Sequence, residues 1–238
     1  LRRAVEISHY DLIKDLMWYQ RRGGANRSSG LQLLEQWAPV LAPATPHLAE
    51  EIWSQLNHDI LLALTSIEIE DLHNQDEHHL LEEKYLQIVL DQARHVKRLA
   101  ERKGSAPMTS LVFQTSSDLP KHLTCFAIEY ESTGGDLRSA MGDVMSLPET
   151  QDEEIRGQVP QMWKKTVERH YKRTPDEKRM ITLNLDEQDI LTRNAEFIAQ
   201  ELDLAEVQCW KAGDGEDVGG KAAVAAPLQP ALAFTTSS

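Results

Sequence analysis

Between Leu81 and Arg102, the residues Tyr85, Val89, Ala93, Val96 and Ala100 recur at intervals of four, four, three and four. That spacing lays one apolar stripe along an α-helix and leaves its other faces charged. Most of the stability of such a helix comes from covering the stripe, so other elements must pack on it. The same signature precedes it. Val5, Leu12, Leu16 and Tyr19, with Ile13 and Met17, mark a first helix over residues 1–22, which Gly23-Gly24 ends. Residues 24–30 read as a loop, and Leu31, Leu34, Trp37, Ala38 and Leu41 face inward from a second helix that Pro43 breaks. Thr45-Pro46 predicts an N-cap and first-turn proline for a third helix, with Leu48, Ile52 and Leu56 inward.

After the long helix the periodicity changes. Gly104 and Pro107 punctuate the chain, and Thr109–Thr115 reads as a strand. Short helices are expected near Leu119–Glu131 and Asp136–Met145. A capping box at Thr150–Glu153 should open a helix reaching Tyr171, and Thr174-Pro175-Asp176-Glu177 repeats the pattern. Asn184 or Asp186 should cap a helix with Leu191, Ala195, Ile198 and Leu202 inward. Glu206–Trp210 and Pro230–Phe234 read as strands, Asp214–Gly220 as a turn, and Ser66–Ile69 as a short strand within an irregular stretch over 57–81. The expected fold class is mainly α: a helical bundle over 1–104, followed by a small α+β C-terminal domain over 105–238.

Composition excludes several classes. At 41% hydrophobic and 26% charged residues the chain can bury a core and is not a disordered polymer. It has no apolar run of membrane-spanning length, so no membrane partner is expected. Cys125 and Cys209 are too few for a disulfide framework or a zinc ribbon and read as reduced cytosolic thiols in the core. The opening Leu-Arg-Arg-Ala-Val-Glu resembles the middle of a helix, and the expectation is a piece of a longer protein.

The net charge of −13 argues against a general nucleic-acid binder and against DNA as a partner. Its distribution is uneven. Residues 94–103 hold five Lys/Arg and one Asp/Glu, and residues 164–182 hold seven and three. With a milder excess over residues 1–30, three basic islands stand in an acidic background. They read either as solvated helix faces or as local phosphate contacts. The candidate RNA-binding residues are Arg21, Arg22 and Arg27; Arg94, Lys97, Arg98, Arg102 and Lys103; and Lys164, Lys165, Arg169, Lys172 and Arg173. Trp163, beside two lysines, could stack on a base or anchor a core.

Catalytic signatures are missing. The chain has no glycine-rich phosphate loop, no dinucleotide fingerprint, no Gly-x-Ser-x-Gly elbow and no Cys-x-x-Cys pair. No catalytic residue is assigned. His78, His79 and Glu82 share a helix start and read as solvated polar surface, so no metal is expected. Glu50 and Glu51 read as partners of a helix N-terminus and His47 as a packing or capping residue.

The run Trp37-Ala-Pro-Val-Leu-Ala-Pro-Ala-Thr-Pro-His-Leu-Ala-Glu-Glu-Ile-Trp53 resembles the helix–turn–helix of the anticodon-binding domain of class I aminoacyl-tRNA synthetases. Tyr10-Asp11-Leu12 through Gly24 resembles the preceding helix of the archaeal and eukaryotic cytosolic leucyl type. Val207-Gln-Cys-Trp-Lys-Ala-Gly-Asp214 and Pro227-Leu-Gln-Pro-Ala231 are similar to the end of that enzyme. The family's His-Ile-Gly-His and Lys-Met-Ser-Lys-Ser stretches and its editing insert are absent from this chain. The resemblance therefore implies the tRNA-holding C-terminal part of a cytoplasmic leucine–tRNA ligase. It implies leucine tRNA and the catalytic part of the synthetase as partners, and ATP as a cofactor of the full-length enzyme only, with no cofactor held here. The same hairpin is shared by isoleucyl, valyl and methionyl relatives. The residues alone also fit a helical interaction module with no RNA role.

Overall fold

Helix propensity and periodicity place most of the chain in helices, and each stops where its sequence removes a hydrogen bond or a core-facing residue. A computed structural model describes residues 2–24, 26–65, 77–102, 107–214 and 220–236. It divides into two compact units, Leu1–Gln75 and Asp76–Ser238.

The first unit begins with α1 (Arg2–Val5), a π-helical insert (Glu6–Asp11) and α2 (Leu12–Arg21). The insert shifts the helical phase, which is why the apolar face expected from even periodicity is divided. Trp18 is buried, whereas Ile13, Met17 and Tyr19 are exposed. Gly23, at φ 82°, lets the chain reverse, and the Gly24 amide donates back to the Tyr19 carbonyl at 2.9 Å. α3 (Arg27–Leu41) starts four residues earlier than expected, because the Asn26 side chain accepts from the Ser28 amide at 3.0 Å. Leu31 is accordingly exposed rather than inward.

α4 (Pro46–Gln55) packs on α3 through Ala38, Leu41, Ala49 and Trp53, with Leu62 of a 3₁₀ turn (Leu62–Leu64). Leu48 and His47 are exposed, against expectation: α4 is short and buries only the Ala49–Trp53 stripe. Thr45 does not cap α4 with its side chain, and its hydroxyl turns back to the Leu41 carbonyl. Glu50 also differs from the sequence reading. Its two carboxylate oxygens accept from the Leu62 and Ala63 amides, each at 2.9 Å, and so hold the 3₁₀ turn. Trp37 is half-buried, with its indole donating to the Ser8 carbonyl at 2.7 Å.

The second unit contains the long helix α5 (Glu77–Arg102), which was expected to close a domain ending at 104. Its stripe of Leu81, Tyr85, Leu86, Val89, Leu90 and Ala93 is buried. The elements that cover it follow in sequence: α10 (Pro175–Thr182), α11 (Glu187–Arg193), α12 (Ala195–Leu202) and β3 (Ala231–Thr236). The compact units therefore divide at Gln75/Asp76, ahead of α5. Gly104 and the strand expected at Ser66–Ile69 lie outside the described residues, as does most of the 214–220 turn.

β1 (Met108–Thr115) is the middle strand of a three-stranded sheet. It runs parallel to β2 (Glu206–Lys211) and antiparallel to β3, with Phe113 opposite Cys209 on one side and Leu232 on the other. Its Leu-Val-Phe run is buried, as a central strand requires, whereas β2 alternates between exposed and half-buried positions at the edge. Cys125 and Cys209 are both half-buried rather than in the core, and burial pushes the Cys209 thiol up to about 12.

A second core lies under α6 (Asp118–Ser132), α7 (Met141–Val144) and α9 (Val159–His170). The expected helix from Thr150 to Tyr171 is broken. Thr150 ends a 3₁₀ turn (Pro148–Thr150), donating its hydroxyl to the Val144 carbonyl at 2.9 Å. Asp152 rather than Thr150 caps α8 (Glu153–Arg156), and Pro160 sits in the first turn of α9. The Thr174 capping box is present and opens α10: Thr174 Oγ1 accepts from the Glu177 amide, and the Glu177 carboxylate accepts from the Thr174 amide.

Glu187, the first residue of α11, is buried, and its Oε2 accepts from the Tyr85 hydroxyl and the Leu228 amide, both at 3.0 Å. Leu228 lies at φ 64°, normally a glycine position, at the corner of the tight Ala226–Gln229 turn. Burial of its side chain and the bond from its amide to Glu187 hold it there.

Candidate nucleic-acid interface

The structure sorts the basic islands by what each cation touches. In the first unit, the Arg21 guanidinium lies over the Trp18 ring, 5.1 Å from its centroid. Arg22 forms the C-cap of α2, and Arg27 is exposed at the first position of α3.

The second island is largely structural. Arg94 bridges Asp91, at 3.0 Å, and Glu201 of α12. Lys97 donates to the Leu202 and Asp203 carbonyls, which α12 leaves unsatisfied where Asp203 turns left-handed at φ 50°. An ammonium there also meets the negative end of the helix dipole. The Arg98 side chain donates to the Arg94 carbonyl at 3.2 Å. Arg102 is exposed, and Lys103 lies outside the described residues. Lys97→Ala is expected to lower stability in urea by about 1.5–3 kcal/mol, the range for hydrogen bonds from a charged donor. Arg102→Ala should leave the unfolding midpoint unchanged.

The third island presents a different picture. Trp163 is the buried anchor of α9, its ring 5.8 Å from Phe126 and its indole donating to the Leu137 carbonyl at 3.3 Å. With that face fixed inward, Lys164 and Lys165 point to solvent, Arg169 is half-exposed and Lys172 is exposed just past the helix end. The acidic residues that could pair with the two lysines on the protein surface are Asp152, Glu153, Glu154 and Glu168. Asp152 is engaged in capping α8, and among the described residues neither lysine makes an ion pair. Lys165 and Arg169 stand one turn apart, about 6 Å along the axis. Arg173 is half-buried and engaged within the fold instead. It donates to the Pro227 carbonyl at 3.2 Å, and burial pulls its proton affinity below the usual arginine value.

His78 and His79 do converge on Glu82, with Nδ1 to carboxylate distances of 3.5 and 3.0 Å. The same carboxylate also pairs with the Arg193 guanidinium at 3.1 Å, so its charge is already matched. Among the described residues no helix is long and apolar enough to cross a membrane.

Residues 1–110 match the family model of the anticodon-binding domain of tRNA ligase. The match covers 110 of the 238 residues, a little under half of the chain. The likeness continues through the second unit. Leucine–tRNA ligase 1 of Sulfolobus acidocaldarius is 26% identical over 250 residues, covering 99% of this chain and 24% of that protein. The leucine–tRNA ligase of Methanococcus maripaludis strain S2 is 27% identical, covering 97% of this chain and 22% of its own length. That of Archaeoglobus fulgidus is 29% identical, covering 85% and 19%. The chain thus spans about a quarter of the length of these relatives. The resemblance read from Trp37–Trp53 and from the tail agrees with them: the chain corresponds to a C-terminal region of the leucine-type enzyme.

Proposed function

We propose that this chain is the tRNA-binding C-terminal part of a leucine–tRNA ligase, and that the exposed face of α9 carries phosphate contacts. The observation behind this reading is the row of Lys164, Lys165, Arg169 and Lys172, for which the structure holds no ion-pair partner among the described residues. In a chain of net charge −13, exposed cations that make no ion pair mark a place where an external anion lowers the energy. Arg27 and Arg102 are exposed in the same way, whereas Arg94, Lys97 and Arg173 act within the fold. Phosphate contacts would set the register, and base contacts elsewhere would carry specificity. The whole enzyme would use ATP to attach leucine to leucine tRNA in the cytoplasm, with catalysis and editing in its remaining part. The isoleucyl, valyl and methionyl alternatives are less favoured, because the relatives reported above are leucine enzymes.

The test is the affinity for leucine tRNA across a series of salt concentrations. Each lost phosphate contact changes the log–log slope by roughly 0.7–0.9. The variant with Lys164→Ala and Lys165→Ala should bind more weakly and show a slope flatter by about 1.4–1.8. Unchanged slope and affinity would remove α9 from the interface. Absence of tRNA binding by the wild-type chain would favour the protein-interaction reading.

A further inference from the structure

The first turns of α5 bring three metal-ligating side chains to one point. Glu82 follows His79 by three residues and His78 by four, the two spacings that place helix side chains on one face. Both imidazoles turn Nδ1 toward its carboxylate: His79 stands 3.0 Å from Oε2 and His78 3.5 Å from Oε1. One donor atom from each residue lies within 4.8 Å of the other two. Neighbouring donors around a four-coordinate ion, with bonds of about 2.0–2.1 Å, are about 3.3 Å apart. The two imidazole–carboxylate distances already bracket that value. Only the edge between the two rings must close, and His79 is exposed and free to rotate toward it. Residue spacing gave no reason to expect a metal here; these donor distances do.

The groups around the carboxylate prepare it as a ligand. Burial opposes its charge, but the bond from His79 and the Arg193 guanidinium hold the Glu82 carboxyl below its ordinary value. Arg193 of α11 lies 3.1 Å from Oε1 and is itself held by Asp189 at 2.7 Å, so it fixes the plane of the carboxylate and leaves Oε2 to face an ion. Two imidazoles and one carboxylate suit a borderline divalent ion, whereas Mg²⁺ and Ca²⁺ take oxygen ligands. Zn²⁺ has no geometric preference from its d-electrons and accepts donors from two adjacent residues. We propose that His78, His79 and Glu82 bind one Zn²⁺ ion. Three protein ligands and a water complete an open zinc site, so no fourth side chain is needed. Each ring binds through Nδ1 and carries its remaining proton on Nε2. The ion staples the start of α5 to the carboxylate that α11 orients. The positive end of the helix dipole opposes a cation at this place, and the net charge of −13 favours one. The site is independent of the tRNA-binding reading.

The experiment titrates Zn²⁺ into the whole chain, free of any histidine tag, against a competing zinc indicator. A single ion should bind, and its affinity should fall as the pH is lowered, because protons compete for the same ring nitrogens. His79→Ala and Glu82→Gln should each weaken binding at least about tenfold, the lower end of the range for losing even a supporting group of a metal site. His79 is exposed, so His79→Ala should leave the thermal unfolding midpoint without zinc unchanged. Zn²⁺ should raise that midpoint for wild type and not for His79→Ala. In imidazole NMR spectra the His78 and His79 Nδ1 resonances should move with the first equivalent, and those of His47 should not. No binding tighter than about 1 mM would overturn the proposal. So would equal affinity of wild type and His79→Ala, which would assign the ion to other histidines. Displacement of Zn²⁺ by millimolar Mg²⁺ would mean an oxygen-only site and overturn it as well.

Discussion

Replacing Trp163 with alanine is expected to destabilise the protein by about 3–5 kcal/mol, the usual loss for a buried tryptophan. The residue is 3% exposed and sits amid Leu123, Ala127, Leu137, Ala140, Val144 and Val159. Its removal opens a cavity between α6 and α9 and leaves the Leu137 carbonyl without its indole donor. Trp163→Phe should recover much of the loss, because the ring contact with Phe126 persists and only the hydrogen bond goes. Equilibrium urea unfolding measures both. A Trp163→Ala loss below about 1 kcal/mol would place this side chain at the surface and return it to the list of base-stacking candidates. The neighbouring Lys164 and Lys165 variants should be neutral in the same experiment, so stability and RNA affinity separate along one helix.

Glu187→Ala should cost a comparable amount. It strands the Tyr85 hydroxyl and the Leu228 amide in the interior, at about 1–3 kcal/mol for each unsatisfied group, or roughly 2–6 in all. It also releases the left-handed Leu228 turn that leads into β3. Glu187→Gln keeps an acceptor for both donors and should behave differently, with a sign set by pH. Burial raises the Glu187 carboxyl above its ordinary value of 4.5, against the opposing bonds from Leu228 and Tyr85. The folded state therefore binds the proton more tightly than the unfolded chain does, and stability falls as pH rises from about 4.5 through the folded value. The glutamine variant should show a flatter profile over that interval and a relative gain above it. An identical pH profile in wild type and Glu187→Gln would mean that the carboxyl titrates alike in the folded and unfolded chain.

Much of the local structure was legible in the amino-acid order. The α5 stripe, the Gly23-Gly24 stop, the Pro46 start, the Thr174 capping box and the three strands of the second unit all follow from short-range rules. These read hydrogen-bond supply and side-chain period within a few residues. Where those rules failed, a neighbouring group competed. Asn26 captured the start of α3, the Thr150 hydroxyl bonded back to Val144 and left capping to Asp152, and a π-helical insert changed the phase of the first helix. Each competitor was visible in the sequence, but which backbone group it would bond was settled only in the folded chain.

The site was legible in outline only. Composition marked which cations cluster, but not which of them the fold consumes. Lys97 and Arg102 carry the same charge on one helix. Lys97 is engaged because the end of α12, more than a hundred residues away, presents carbonyls to it. Tyr85 and Glu187 meet across a similar separation, and no local pattern couples them. The sequence by itself therefore determined that α5 must be covered, that α9 has one apolar side, and where the chain turns. Which elements cover α5 and which cations remain free were decided by tertiary structure. Periodicity specifies the face that leaves water, whereas the partner that receives it is chosen by shape and hydrogen bonding among segments distant in the chain.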